Sequence, residues 1–118
     1  MEKGVELYKE LIDGLVKISG SCVNAAKVEG GLVKGTAEDA GINQILGKLS
    51  EEERKVLAQY ISKTYQSGIY DMLVQLEWLR ECRGMKISME GEELPLGQFE
   101  GIPCDYIGRC GDWEWPEV

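Results

Sequence analysis

The sequence predicts an α+β protein, in which a layer of four or five helices carries a small C-terminal β-hairpin or three-stranded sheet. Apolar residues recur at helical spacing through residues 1–83, and the period changes to strand-like alternation after Gly84. A chain of 118 residues holds one core. We therefore expect a single domain over residues 1–118, helical at 1–83, with a hairpin and an acidic, tryptophan-containing tail at 84–118.

The first helix is predicted from about Lys3 to Ile18. Its apolar positions are three or four residues apart and follow one helical face: Val5, Tyr8, Ile12, Leu15 and Ile18. The same spacing reaches Cys22 and Ala25, so the pattern leaves open an extension of this helix to Lys27.

A short helix is predicted next, capped by Thr36 or Asp39. Its buried side is formed by Ile42, Ile45, Leu46 and Leu49. Ser50 and Glu53 then have the spacing of a capping box, which begins a further helix. The apolar stripe that follows predicts the core-facing side of that helix: Val56, Leu57, Tyr60, Ile61, Thr64 and Tyr65.

A second stripe continues the helical period: Ile69, Met72, Leu73, Leu76, Leu79 and Cys82. One helix over residues 51–83 would run about 50 Å, whereas a compact domain of this size is about 35 Å across. We therefore expect a break at Gln66–Gly68, with Ser67 capping the second helix. A bent single helix, or a long one completed by a dimer partner, is the alternative.

The hairpin is predicted from alternating residues after Gly84. Met85, Ile87 and Met89 share one side, Glu90–Gly91 forms a turn, and Glu93–Leu96 returns. Pro95 cannot donate a ladder hydrogen bond, so its strand lies at an edge. Cys104–Arg109 is predicted as an optional third strand.

The charge is uneven along the chain. The net charge is −8, and residues 85–118 hold two basic and eight acidic residues. Nucleic-acid binding is disfavoured, because phosphate contacts need clustered lysine and arginine. The sequence shows no export signal and no apolar run long enough to cross a membrane, so we expect a cytoplasmic protein with reduced cysteines.

Side chains that perform chemistry are sparse. The sequence has no histidine, which removes the commonest general base and zinc ligand. The four cysteines lack the paired spacing of zinc sites: Cys22, Cys82, Cys104 and Cys110. No cofactor and no metal are expected, and a non-enzymatic role is favoured. Whether Cys104 and Cys110 are redox-active stays open.

The tail sequence "GDWEWPEV" places Trp113 and Trp115 two residues apart, so both rings point to one side of an extended chain. The favoured interpretation is that a ring plugs the helical layer and fixes the tail. The alternative is an exposed binding surface, since tryptophan, tyrosine and arginine anchor many interfaces. The candidate surface residues are Glu92, Glu93, Asp105, Tyr106, Arg109, Asp112, Trp113 and Trp115.

The segments "LYKELIDGLVKISG", "LSEEERKVLAQYI", "GIYDMLVQLEW", "KISMEGEELP" and "GDWEWP" resemble small bacterial proteins that carry a domain of unknown function. The resemblance implies a bacterial origin and a cytoplasmic location. It brings no catalytic residues to this chain.

Three functions follow as hypotheses. The first is a protein-binding module whose partner is basic, in the manner of an antitoxin or immunity protein. The second is a small-molecule binder or enzyme with a pocket between the hairpin and the helices, lined by Tyr106, Arg109 and Asp112. The third is a homodimer in which two chains share the Ile69–Leu79 stripe.

Overall fold

The fold is described from a computed structural model, which covers residues 2–34 and 37–117. Over these residues the predicted α+β class is confirmed, with five α-helices, a 3-10 turn and a two-stranded hairpin. The elements are α1 (Lys3–Ser19), α2 (Val23–Glu29), a 3-10 turn (Ala37–Asp39), α3 (Ala40–Leu46), α4 (Glu51–Arg83), β1 (Ser88–Met89), β2 (Glu92–Glu93) and α5 (Ile102–Cys110). The chain divides into two compact units, Met1–Ile18 with Gly68–Val118, and Ser19–Ser67. The single domain stays a prediction.

The core of the first unit joins α1 to the end of α4, to the segment after the hairpin, and to α5. Its buried residues are Leu7, Tyr8, Ile12, Leu73, Leu94, Leu96, Ile102 and Tyr106. The predicted first helix is confirmed, because α1 spans Lys3–Ser19 and buries Val5, Tyr8 and Ile12. Ile18, predicted on that face, is instead 52% exposed.

The second unit has its own small core, formed by Ala25, Val28, Leu46 and Ala58. The extension of the first helix to Lys27 is wrong, since α2 is a separate helix. The side chain of Asn43 on α3 holds Val33, which lies in the loop after α2. It donates to the Val33 carbonyl at 2.8 Å and accepts from the Val33 N–H at 2.7 Å. Of the two predicted caps, Thr36 lies outside the described residues, and Asp39 makes no capping hydrogen bond.

Helix α4 begins at the predicted capping box. The Ser50 N–H donates to the Glu53 carboxylate at 2.8 Å, and the Glu53 N–H donates to the Ser50 hydroxyl at 3.1 Å. The predicted break is wrong, because α4 continues through Ser67 and Gly68 to Arg83. A glycine inside a helix costs only about 1 kcal/mol, and burying Leu73 further along contributes about 2 kcal/mol.

The predicted stripe at the start of α4 is only partly buried. Leu57 and Ile61 pack against the core of the second unit. Val56 and Tyr60, predicted beside them, are 67% and 68% exposed. The core of this unit covers only a narrow face of α4. Val56 and Tyr60, each one residue before a residue that packs on that core, therefore point toward solvent.

The hairpin is confirmed, and each strand is two residues long. Ser88 pairs with Glu93 and Met89 with Glu92 in antiparallel register. Glu90 and Gly91 form the turn with φ of 53° and 77°, the left-handed pair that two-residue hairpins favour. The short ladder is supported by Leu94, which is buried and whose N–H donates to the Ile87 carbonyl at 2.8 Å.

The optional third strand is wrong, because its residues lie in α5. Pro103 lies in the first turn, where its missing N–H costs nothing. Gly101 precedes the helix with φ of 103°, a conformation that favours glycine. Ile102, Tyr106 and Cys110 recur every four residues and turn toward the core, which is the helical signal that the strand prediction overlooked.

Candidate functional site

A buried pair links the two ends of the chain. The Tyr8 hydroxyl on α1 donates to Oδ2 of Asp105 on α5 at 2.5 Å, and both residues are fully buried. The Glu100 N–H donates to the other oxygen, Oδ1, at 3.0 Å. Burial raises the pKa of Asp105, although these two hydrogen bonds oppose the rise, and burial raises the pKa of Tyr8 well above its usual value.

Two of the predicted surface residues therefore belong to the interior. Asp105 and Tyr106 are fully buried, so they cannot form part of an exposed binding face. These two consecutive residues lie on the buried side of α5, where Asp105 contacts Tyr8 of α1 and Tyr106 packs in the core of the first unit.

The start of α5 is held by a carboxylate from α4. Oε2 of Glu77 accepts a hydrogen bond from the Ile102 N–H at 2.7 Å, and Oε1 of Glu77 accepts one from Arg80. A negative charge at a helix N-terminus is favoured by the helix dipole. This contact also explains Gly101, because a Cβ at that position would collide with the Glu77 carboxylate.

The tail is anchored to α1 by a polar clamp. Nε of Arg109 donates to Oδ1 of Asp13 at 2.7 Å, and the indole Nε1–H of Trp115 donates to Oδ2 at 3.1 Å. Arg109 also donates to the Trp113 carbonyl at 2.6 Å. One aspartate on α1 therefore holds both the last turn of α5 and the tail.

An aromatic cluster lies beside the clamp. The ring of Trp115 is 4.9 Å from Phe99, 5.4 Å from Trp113 and 6.0 Å from Tyr8, measured between centroids. Nζ of Lys9 lies 5.8 Å from the centroids of Phe99 and Trp115, within cation–π range. Trp115 packs against the core of the first unit, so the plug interpretation of the tail describes its position better than a free binding surface does.

Three of the predicted surface residues are exposed: Glu92, Glu93 and Asp112. Glu92 and Glu93 are exposed on the hairpin. Asp112 is exposed just after α5 with φ of 64°, and Trp113 beyond it is half-buried. The hairpin meets α1 at Gly4, where an added Cβ would lie 3.0 Å from the Glu93 carbonyl oxygen. The tail meets α1 at Asp13, which accepts the hydrogen bond from Trp115. The hairpin and the tail therefore meet α1 about 14 Å apart.

A groove lies between the hairpin and the end of α4. Its lining includes Arg80, Lys86, Glu93, Pro95 and Gln98. None of the three residues predicted to line a pocket here contributes to it: Tyr106, Arg109 and Asp112. The groove and the predicted site are therefore different places, and the small-molecule hypothesis has no support from those residues.

The cysteines do not come together. None of the four cysteines forms a disulfide, and Cys82 and Cys104 are exposed. Across residues 2–34 and 37–117, no cluster of three potential metal ligands is found. In the same part of the chain, none of the helices combines the length and the apolar character needed to cross a membrane.

The sequence analysis named Asp105, Arg109 and Trp115 as candidate surface residues and placed Tyr8 in the core. It missed Asp13, Lys9 and Glu77. Asp13 and Lys9 have no distinguishing sequence context on an amphipathic helix. Glu77 lies among the apolar residues of the predicted Ile69–Cys82 stripe, and its local sequence does not indicate a contact with α5. Their partners in these contacts lie 25 to 106 positions away, and no local pattern reports such contacts.

Comparison with known proteins gives a family but no activity. The chain belongs to the family described as "Family of unknown function (DUF6547)", which it matches over residues 1–117. No curated protein and no solved structure matches the chain. The expected membership in a family of unknown function is confirmed, and the family assigns no role to any residue.

Proposed function

We propose that this chain is a non-enzymatic protein-binding module of the bacterial cytoplasm, whose acidic C-terminal third binds a basic partner in the manner of an antitoxin or immunity protein. The observation that carries the proposal is the exposure of its acids. Every acidic residue of 85–117 except Asp105 is exposed: Glu90, Glu92, Glu93, Glu100, Asp112, Glu114 and Glu117.

These charges are only lightly neutralised within the chain. Lys86 lies 3.5 Å from Glu93 and Lys3 lies 3.7 Å from Glu90, and both pairs are exposed, where ion pairs contribute at most about 1 kcal/mol. Arg109 is engaged by Asp13. The negative field is therefore available to steer a positively charged surface onto the hairpin and the tail.

A rigid frame supports this acidic face. The Asp13 clamp holds Trp115 and Arg109, and the turn geometry fixes Glu92 and Glu93. Binding through side chains on a fixed backbone loses less conformational entropy than binding through a loose tail. The half-buried ring of Trp113 supplies an apolar anchor beside Asp112 and Glu114.

The test is affinity capture from the source organism with tagged protein. The variant Glu92→Lys/Glu93→Lys reverses two charges on the proposed face, and Glu29→Lys/Glu51→Lys makes the same charge change elsewhere. We expect a basic protein to bind the wild type and the control, to elute as salt rises, and to be lost with the hairpin variant. Equal capture by both variants would contradict the proposal, as would a captured protein whose binding does not weaken when the salt concentration is raised.

A further inference from the structure

A groove lies within the second unit, between α2 and the first half of α4. Its described lining falls between residues 20 and 62, so the groove belongs to this unit alone. The volume is about 840 Å³, which is the size of sites that hold small molecules. The end of α2 meets the start of α4, because the Arg54 side chain donates to the Glu29 carbonyl at 3.3 Å. The groove runs beside α2, whose seven residues span about 10 Å.

The floor of the groove is apolar and consists of small side chains. Ala25 of α2 and Ala58 of α4 belong to the core of the second unit and are 6% and 5% exposed. Ala26 and Cys22 line the groove beside them, and Gly20 lines it before α2 begins. Because these side chains are short, they leave room above the floor that a hydrocarbon group can fill.

Two lysines from different helices line the same groove. Lys27 of α2 and Lys55 of α4 are both exposed. Among the described residues of the lining, Glu29 is the one acid, so two lysines and one carboxylate leave a net charge of +1. Within residues 2–34 and 37–117 neither lysine forms an ion pair, not even Lys55 with Glu51 one turn before it. Both ammonium groups are therefore available to an anion.

We propose that this groove binds a small carboxylic acid with a hydrocarbon body. The carboxylate lies between Lys27 and Lys55, and the hydrocarbon body lies on the alanine floor. Charge complementarity selects the anion, because the lining offers two ammonium groups against one carboxylate. The floor selects the hydrocarbon body, since covering Ala25, Ala26 and Ala58 removes apolar surface from water.

This site differs from the pocket that the sequence placed between the hairpin and the helices. The residues predicted to line that pocket, Tyr106, Arg109 and Asp112, belong to the first unit, whereas the groove lies in the second. The acidic residues of the proposed protein-binding face also belong to the first unit. The groove is therefore a separate site with the opposite charge preference.

The test is an NMR titration of the full chain with three probes: hexanoate, acetate and 1-hexanol. Acetate keeps the carboxylate without the hydrocarbon body, and 1-hexanol keeps the body without the charge. We expect hexanoate to shift the backbone amide signals of α2 and of residues 55–62. We also expect it to bind more tightly than either of the other two probes.

Two pairs of substitutions test the lysines. Lys27→Gln/Lys55→Gln should weaken hexanoate binding roughly tenfold, as the loss of two exposed ion pairs implies. Lys34→Gln/Lys48→Gln makes the same charge change in the second unit outside the described lining, and should bind hexanoate like the wild type. Ala26→Leu places a larger side chain in the groove at an exposed position of α2, and should reduce binding without unfolding the helix.

A wild type whose α2 and 55–62 amide signals do not respond to hexanoate would overturn the proposal. Binding of acetate or of 1-hexanol as tight as that of hexanoate would contradict the combination of charge and hydrocarbon body. Equal affinities of the two lysine pairs would contradict the roles of Lys27 and Lys55. Every variant leaves Glu92 and Glu93 intact, so the result is independent of the proposed binding of a basic partner.

Discussion

Tyr8 donates a hydrogen bond to Asp105 across 97 positions of sequence, at 2.5 Å inside the core of the first unit. The pair ties α1 to α5, and α5 in turn positions the tail. Neither group reaches water, so the Tyr8 hydroxyl depends on Asp105 for its hydrogen bond, and Asp105 depends on Tyr8 and on the Glu100 N–H. This contact gives the first prediction.

Replacing Tyr8 with phenylalanine should lower the free energy of unfolding by about 2 kcal/mol, since a buried hydrogen bond to a carboxylate is removed while the ring is kept. Urea denaturation followed by circular dichroism measures the change. Tyr65→Phe is the matched control, because that side chain is 38% exposed, and it should leave the unfolding midpoint unchanged. Equal midpoints for Tyr8→Phe and wild type would contradict the account.

The second prediction concerns pH. The pKa of Asp105 is raised in the folded state from its ordinary value of 3.8, so the folded state holds this proton more tightly than the unfolded state does. The contribution of Asp105 to stability is therefore fully present below 3.8 and is lost as pH rises through the raised pKa.

Asp105→Asn cannot ionise and should escape that loss. The stability of this variant relative to wild type should therefore increase as pH rises from about 3.8 toward neutrality. Urea titrations of both proteins across this pH range give the difference at each pH. A constant difference would show that the pKa of Asp105 is the same in the folded and unfolded states, and a difference that moves in the opposite direction would show that folding lowers it; either result would contradict the prediction.

The third prediction concerns the continuity of α4. Gly68 lies inside the helix, and a Cβ there would meet no atom within 4 Å. Gly68→Ala should therefore stabilise the protein by about 1 kcal/mol. Gly101→Ala is the contrasting variant, and it should destabilise by about 3 kcal/mol, since it forces an unfavourable φ and displaces Glu77 from α5. Destabilisation by Gly68→Ala would indicate a break at this position.

The fourth prediction separates the two tail tryptophans. Trp115 packs against the core and donates its indole N–H to Asp13, whereas the ring of Trp113 meets that of Trp115 at a tilt of 60°. Trp115→Ala should lower the free energy of unfolding by about 3 kcal/mol. Trp113→Ala should cost clearly less in the same urea experiment. The opposite order would mean that Trp113 is the anchor.

Local signals in the sequence predicted α1, the start of α4 and the hairpin. The capping box at Ser50–Glu53, the α1 stripe and the Glu90–Gly91 turn each depend on residues within a few positions of one another. The predicted break at Gly68 was wrong, because the packing of α4 residues before and after this glycine outweighs its weak tendency to break a helix. The prediction also failed at α5, where Pro103 and Gly101 mark a helix start that the strand interpretation ignored.

The candidate surface was predicted in part. Glu92, Glu93 and Asp112 are exposed, as a solvated acidic face requires. Asp105 is of the same residue type and was grouped with them. Its burial is compensated by hydrogen bonds from the Glu100 N–H and from the distant Tyr8, and composition cannot show the contact with Tyr8.

The central claim is that the tail is a fixed part of the first unit, held by Asp13. Proton exchange of the Trp115 indole Nε1–H, followed by NMR in wild type and in Asp13→Ala, tests it most directly. We predict slow exchange in the wild type and markedly faster exchange in the variant, with α1 still folded. Exchange in the wild type as fast as in the urea-unfolded chain would contradict the claim.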